Sequence, residues 1–108
     1  MTRQEEINLE LNRMVRLIAE EPTVRRVILF GSNASGGPSA EWSDIDLCII
    51  QETDLRFYDR LAWWIKKLRP GIGIDLVVYT PGEVEEMRSK GGFYTHEIEA
   101  KGRELYAA

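Results

Sequence analysis

The chain has 108 residues, 44% of them hydrophobic and 30% charged, which suits one soluble globular domain spanning residues 1–108 with a single core. Its 14 basic residues against 18 acidic ones leave a net charge of −4, which argues against non-specific nucleic-acid binding, since that relies on a field of Lys and Arg. No stretch approaches the roughly 18 apolar residues of a membrane span, Met1 to Glu6 lack the apolar centre of a signal peptide, and the single Cys48 cannot form an internal disulfide, so a cytoplasmic setting is expected.

Thr2 and Glu5 have capping-box spacing, and Ile7, Leu11, Met14 and Ile18 then recur at helical spacing. They predict an amphipathic helix from about residue 3 to 20, stopped before Pro22. Val24 to Phe30 is a short apolar run, β-branched at Val24, Val27 and Ile28, and reads as a buried strand. Residues 31–43 are rich in Gly, Ser and Pro and predict a turn, with room for a short helix from Ser32, and then a loop. Asp44 to Gln51 reads as a second strand.

Thr53 or Asp54 can cap a second long helix whose apolar stripe is Leu55, Tyr58, Leu61, Ala62, Ile65 and Leu68, ended by Pro70-Gly71. Ile72 to Tyr79 is a third strand, and Thr80-Pro81-Gly82-Glu83 opens a short helix with Pro in its first turn. His96 to Ala100 is a candidate helical turn and Glu104 to Tyr106 a candidate last strand. This order predicts an α/β (α+β) layer: a mixed three- to four-stranded sheet with helices mainly on one face.

The chemistry concentrates in three carboxylates. Asp44 and Asp46 are two apart on a strand, so both point to one face while Ile45 and Leu47 point to the other. Nothing nearby in the sequence neutralises them, and two adjacent carboxylates push each other's pKa upward. A divalent cation resolves this, and hard oxygen ligands suit Mg²⁺. Asp75 lies in a second Ile-Asp-Leu context on the third strand. If the two strands are neighbours, the three carboxylates converge as a two-metal phosphoryl-transfer site requires, with ions about 3.5–4 Å apart. Asp44 alone reads more readily as a turn residue or a cap; the set of three is what points to a metal.

Gly31-Ser32 follows a buried strand and precedes a helix start, where free N–H groups and the Ser32 hydroxyl can hold phosphate oxygens. Leu29-Phe30-Gly31-Ser32, the intervening residues 33–43, and Asp44-Ile45-Asp46-Leu47 together resemble the signature of the DNA polymerase β-like nucleotidyltransferase superfamily. Ile74-Asp75-Leu76-Val77 looks like its third carboxylate strand. Size and element order resemble its minimal nucleotidyltransferase (MNT) members, over about residues 5–80 and again at Glu99 to Tyr106.

The resemblance implies the polymerase β-like fold and Mg²⁺-dependent transfer of a nucleoside monophosphate from a nucleoside triphosphate, ATP foremost, to an acceptor hydroxyl. Asp44 and Asp46 would bind one or two Mg²⁺ ions. Asp75 would complete the metal site and assist deprotonation of the acceptor, and Gly31, Ser32 and Asn33 would hold the phosphates. Many members carry basic residues after the Gly-Ser pair; Asn33, Ala34 and Ser35 stand there instead, with neutral donors at most. MNT proteins commonly resemble one half of a toxin–antitoxin pair whose other half is an all-helical HEPN protein. The implied partner is therefore a HEPN-type helical protein or a second copy of the chain, and the rival to catalysis is an antitoxin-like binding module. The short length favours a partner in either case.

Among the remaining residues, Trp63 falls off the predicted stripe and is a candidate partner anchor, with partial burial as its alternative. Trp64 lies at the stripe's edge. Trp42 suits loop packing or base stacking, His96 reads as a surface residue, and Cys48 as a small buried filler.

Overall fold

The computed structural model describes residues 1–31 and 45–108. Ser32, Asn33, Trp42 and Asp44, and the short helix expected from Ser32, therefore lie outside the described residues. The first helix, α1 (Arg3–Ala19), begins on the expected capping box: the Thr2 hydroxyl accepts from the Glu5 backbone N–H while the Glu5 carboxylate accepts from that of Thr2. Its buried stripe is Ile7, Leu11, Met14 and Ile18, as the spacing requires.

Strands β1 (Val24–Phe30), β2 (Ile45–Gln51), β3 (Ile74–Tyr79) and β4 (Arg103–Ala107) form one mixed sheet in the order β3-β2-β1-β4. β1 runs antiparallel to both β2 and β4, and β2 runs parallel to β3 through a crossover that contains α2 (Phe57–Leu68). The tail supplies α3 (Pro81–Lys90), opened by a second capping box at Thr80 and Glu83, and a π-helical turn, Tyr94–Glu99. That turn begins two residues before the expected His96, and β4 contains the expected Glu104 to Tyr106. Gly102 joins the two elements where a Cβ would run into the Ile98 carbonyl oxygen and the Ile28 side chain.

The two long helices, α1 and α2, cover one face of the sheet over a core that includes Val27, Leu29, Leu47, Ile49 and Trp64. On the opposite face a smaller cluster joins Ile28, Phe30, Cys48 and Ile50 to Val84 of α3 and to Tyr94 and Ile98 of the π-helical turn. Both faces are thus apolar along β2, which explains why that strand reads as a continuous hydrophobic run.

Helix α2 corrects the sequence reading in two respects. It starts at Phe57, with Arg56 at the cap and no side-chain cap bond. The Thr53 hydroxyl instead accepts from the Leu55 N–H in the preceding turn. The helix is also rotated from the expected stripe. Its buried residues are Arg60, Trp64 and Leu68, whereas Tyr58 is 79% exposed and Leu55 and Ile65 are also exposed.

Two polar anchors set that rotation. The Trp64 indole N–H donates to Gln51 Oε1 (2.9 Å), and the Gln51 amide donates in turn to the Thr23 hydroxyl (2.9 Å). Arg60 donates to the Leu55 and Val78 carbonyls (2.8 and 3.0 Å) and grips Glu83 of α3 with two N–H groups (2.7 and 3.2 Å). Because β3 is an edge strand, Arg60 reaches around it and ties α2 on one face to α3 on the other. A buried guanidinium that makes four hydrogen bonds outcompetes a more hydrophobic face that lacks such partners.

Candidate active site

Strand direction brings the signature positions together. Because β1 is antiparallel to β2, its C-terminal end at Phe30-Gly31 lies beside the start of β2. Because β3 is parallel to β2, its start lies there too. The register pairs Phe30 with Asp46 and Asp46 with Asp75, so the two carboxylates stand side by side on adjacent strands, on the face of Cys48 and Ile50.

Asp46 is half-buried and Asp75 exposed. Like charges directly opposite each other across two strands are destabilising. Asp75 stands at the rim, where the apolar cover ends, open to solvent or to a cation. Gly31 closes the third side. Its φ of +74° is left-handed, and a Cβ built there would overlap the Asp46 carboxylate. Glycine is required on both counts, because only a residue without a side chain lets the Asp46 carboxylate lie against the backbone here.

Of the predicted site residues, the structure brings Gly31, Asp46 and Asp75 together; Ser32, Asn33 and Asp44 lie outside the described residues. Among the described residues no group of three or more His, Cys, Asp or Glu side chains could hold a metal ion. Asp46 and Asp75 supply two carboxylates, and the chain position next to Ile45 belongs to Asp44. The donors fit a hard divalent cation: carboxylate oxygens at the solvent-facing end of a sheet, with a glycine turn beside them.

Cys48, two residues deeper on the same face, is fully buried, and burial pushes its thiol up to about 12. It stays a protonated filler and is no nucleophile at neutral pH. His96 is exposed, as expected.

One residue that sequence reasoning overlooked stands beside this site. Phe93 is 56% exposed and meets the Phe30 ring edge-on at 6.0 Å, next to the Phe30–Asp46 pair. An exposed ring there offers a stacking surface at the mouth of the site. Its only sequence signal is the Gly91-Gly92 break before it. Behind it, Tyr94 is buried against Tyr79, and its hydroxyl has no hydrogen-bond partner among the described residues.

Comparison with known proteins agrees with this fold. The family model described as nucleotidyltransferase domain matches residues 11–91. Among solved structures, a mutant of the toxin–antitoxin MntA-HpeT superposes with a TM-score of 0.60 at 23% identity, covering 90% of this chain and 72% of that one. A toxin–antitoxin with AMP-PNP gives 0.57 at 21% identity, over 90% and 73% of the two chains. A candidate nucleotidyltransferase from Sulfolobus solfataricus gives 0.55 at 17%, over 91% and 86%. No curated protein matches the chain. With a family match over most of its length, the chain belongs to the nucleotidyltransferase domain family.

Proposed function

We propose that the chain transfers a nucleoside monophosphate from a nucleoside triphosphate, ATP foremost, to a hydroxyl on a protein partner, with Mg²⁺ bound by Asp44, Asp46 and Asp75. The observation that carries this reading is the pairing of Asp46 with Asp75 across adjacent strands beside the left-handed Gly31. A structurally similar toxin–antitoxin solved with AMP-PNP supports a triphosphate as donor.

In this reading Gly31, Ser32 and Asn33 hold the β- and γ-phosphates with backbone N–H groups and neutral side-chain donors. The acceptor oxygen bonds to the α-phosphorus as the bond from that phosphorus to its bridging β-oxygen breaks, and pyrophosphate leaves. The hydroxyl proton passes to the exposed Asp75 carboxylate, which acts as general base. Bound Mg²⁺ supplies charge neutralisation for the triphosphate and for the pyrophosphate that departs. Phe93 gives the base, or an aromatic acceptor, a ring to stack on.

A second reading is favoured by the MntA-HpeT likeness: an antitoxin-like module that binds a HEPN-type helical protein, with little catalysis of its own. One experiment separates the two. The chain is incubated with labelled ATP and Mg²⁺, alone and with the product of the neighbouring gene. The expected outcome is label on the partner, reduced by about 10²–10⁴-fold in Asp75→Asn and Asp46→Asn. Equal labelling by wild type and Asp46→Asn would overturn the site assignment, and absence of ATP binding by calorimetry would favour the binding module.

A further inference from the structure

The rotation of α2 leaves an apolar stripe facing away from the sheet. Tyr58 is 79% exposed, Leu55 43% and Ile65 40%, with Ala62 exposed between them and Trp63, also exposed, along one edge. Lys67 holds its ammonium 5.6 Å from the Trp63 ring centroid. Tyr58, Trp63 and Ile65 on the helix, with Leu55 in the turn before it, mark a surface that something covers.

The charges on that face name the occupant. At about 100° per residue, Tyr58 and Ile65 lie on one side of Ala62, one turn before it and one turn after. Asp59 and Lys66 lie on its other side at the same two levels. Neither Asp59 nor Lys66 makes an ion pair or hydrogen bond among the described residues. We propose that this face is a self-recognition surface, on which a second copy of the chain packs its own α2 antiparallel about a two-fold axis at Ala62.

The pattern is self-complementary in that arrangement alone. An antiparallel two-fold sets Tyr58 against the partner's Ile65 and Asp59 against the partner's Lys66, and symmetry repeats each contact. Ala62 meets its own counterpart, where a small side chain permits close approach of the backbones. A parallel two-fold would set Asp59 against the partner's Tyr58 and Lys66 against the partner's Ile65, so neither charge would meet its opposite. A single helix pair buries less than the roughly 1,200 Å² of a standard interface, so a weak dimer is expected. The face lies on the opposite side of the sheet from Asp46 and Asp75, so this inference stands apart from the transfer reaction.

Sedimentation velocity on the full chain, from about 1 μM to about 1 mM, tests it. A monomer–dimer equilibrium is expected, weakened at least about tenfold by Ile65→Lys. Asp59→Lys and Lys66→Asp, each alone, weaken it by about threefold or more at low salt, and the double reversal restores it, because the pair is rebuilt with its signs exchanged. Circular dichroism melts confirm that each variant is folded. A monomer throughout the range overturns the proposal. So does a dimer indifferent to Ile65→Lys, or a double reversal no better than the singles. A chain that is monomeric alone, but whose complex with a helical partner protein is weakened by Ile65→Lys, assigns the face to that partner instead.

Discussion

On the α1–α2 face of the sheet, the inward residues are apolar except for Gln51 at the end of β2: Val27 and Leu29 of β1, Ile45, Leu47 and Ile49 of β2, Leu76 and Val78 of β3. On the other face the series Ile28, Phe30, Cys48 and Ile50 stops at Asp46, and Val77 gives way to Asp75. Both faces use the same strands, and the difference lies at one end of one face. There the smaller cover of α3 and the π-helical turn gives out and the carboxylates emerge. The deeper face holds the molecule together, while the shallower face carries two adjacent acids at its rim. A site built at the edge of a core in this way borrows rigid strands without placing unpaired charge inside it.

That division is tested most strongly at Trp64, which is fully buried on the deep face and bonded to Gln51. Trp64→Ala is expected to destabilise the fold by about 3–5 kcal/mol in urea unfolding, through the cavity and the stranded Gln51 amide. A loss below about 1 kcal/mol would mean that this face does not carry the stability assigned to it.

A smaller effect is expected where the two faces are tied together. Burial pushes the Glu83 carboxyl up, but the Arg60 guanidinium and the Thr80 N–H outweigh it and hold it below its ordinary 4.5. A depressed carboxylate contributes stability that is present above the unfolded value and lost as pH falls through it toward the lower folded one. Glu83 is partly exposed, so solvent screening limits the effect, and Glu83→Gln is expected to cost about 1–2 kcal/mol at pH 7. The same variant should flatten the fall in stability below about pH 4.5, measured as unfolding midpoint against pH. An unchanged slope would place the acid sensitivity elsewhere.

The smallest expected change is at Asp75. Asp75→Asn should shift stability by less than about 0.5 kcal/mol, because the residue is exposed at the rim, while removing nucleotidyl transfer. A loss of stability comparable to that of Trp64→Ala would erase the distinction between the faces.

Much of this was legible in residue order. The Thr2–Glu5 and Thr80–Glu83 capping boxes, the α1 stripe from Ile7 to Ile18 and the buried run of β1 are local signals, and local physics decides them. Strand alternation by itself put Asp46 on the same face as Cys48, away from Leu47. The α2 stripe was misread for an equally local reason. Periodicity ranks positions by hydrophobicity, so it passed over Arg60 and chose Tyr58 and Ile65. The inward face was set by the partners of Arg60 and Trp64, namely Val78, Glu83 and Gln51, all distant in sequence.

The sequence by itself determined the elements, the chemistry of the carboxylates and the glycine at the end of β1. Only the tertiary structure decided that β1 runs antiparallel to β2 and β3 parallel to it. That choice sets Asp75 opposite Asp46 and Gly31 against the Asp46 carboxylate. Side-chain period reports which residues share a face of one strand, and it carries no information on which strand lies beside it or in what register. Those are settled by non-local burial, and with them the meeting of residues 31, 46 and 75 at one end of the sheet.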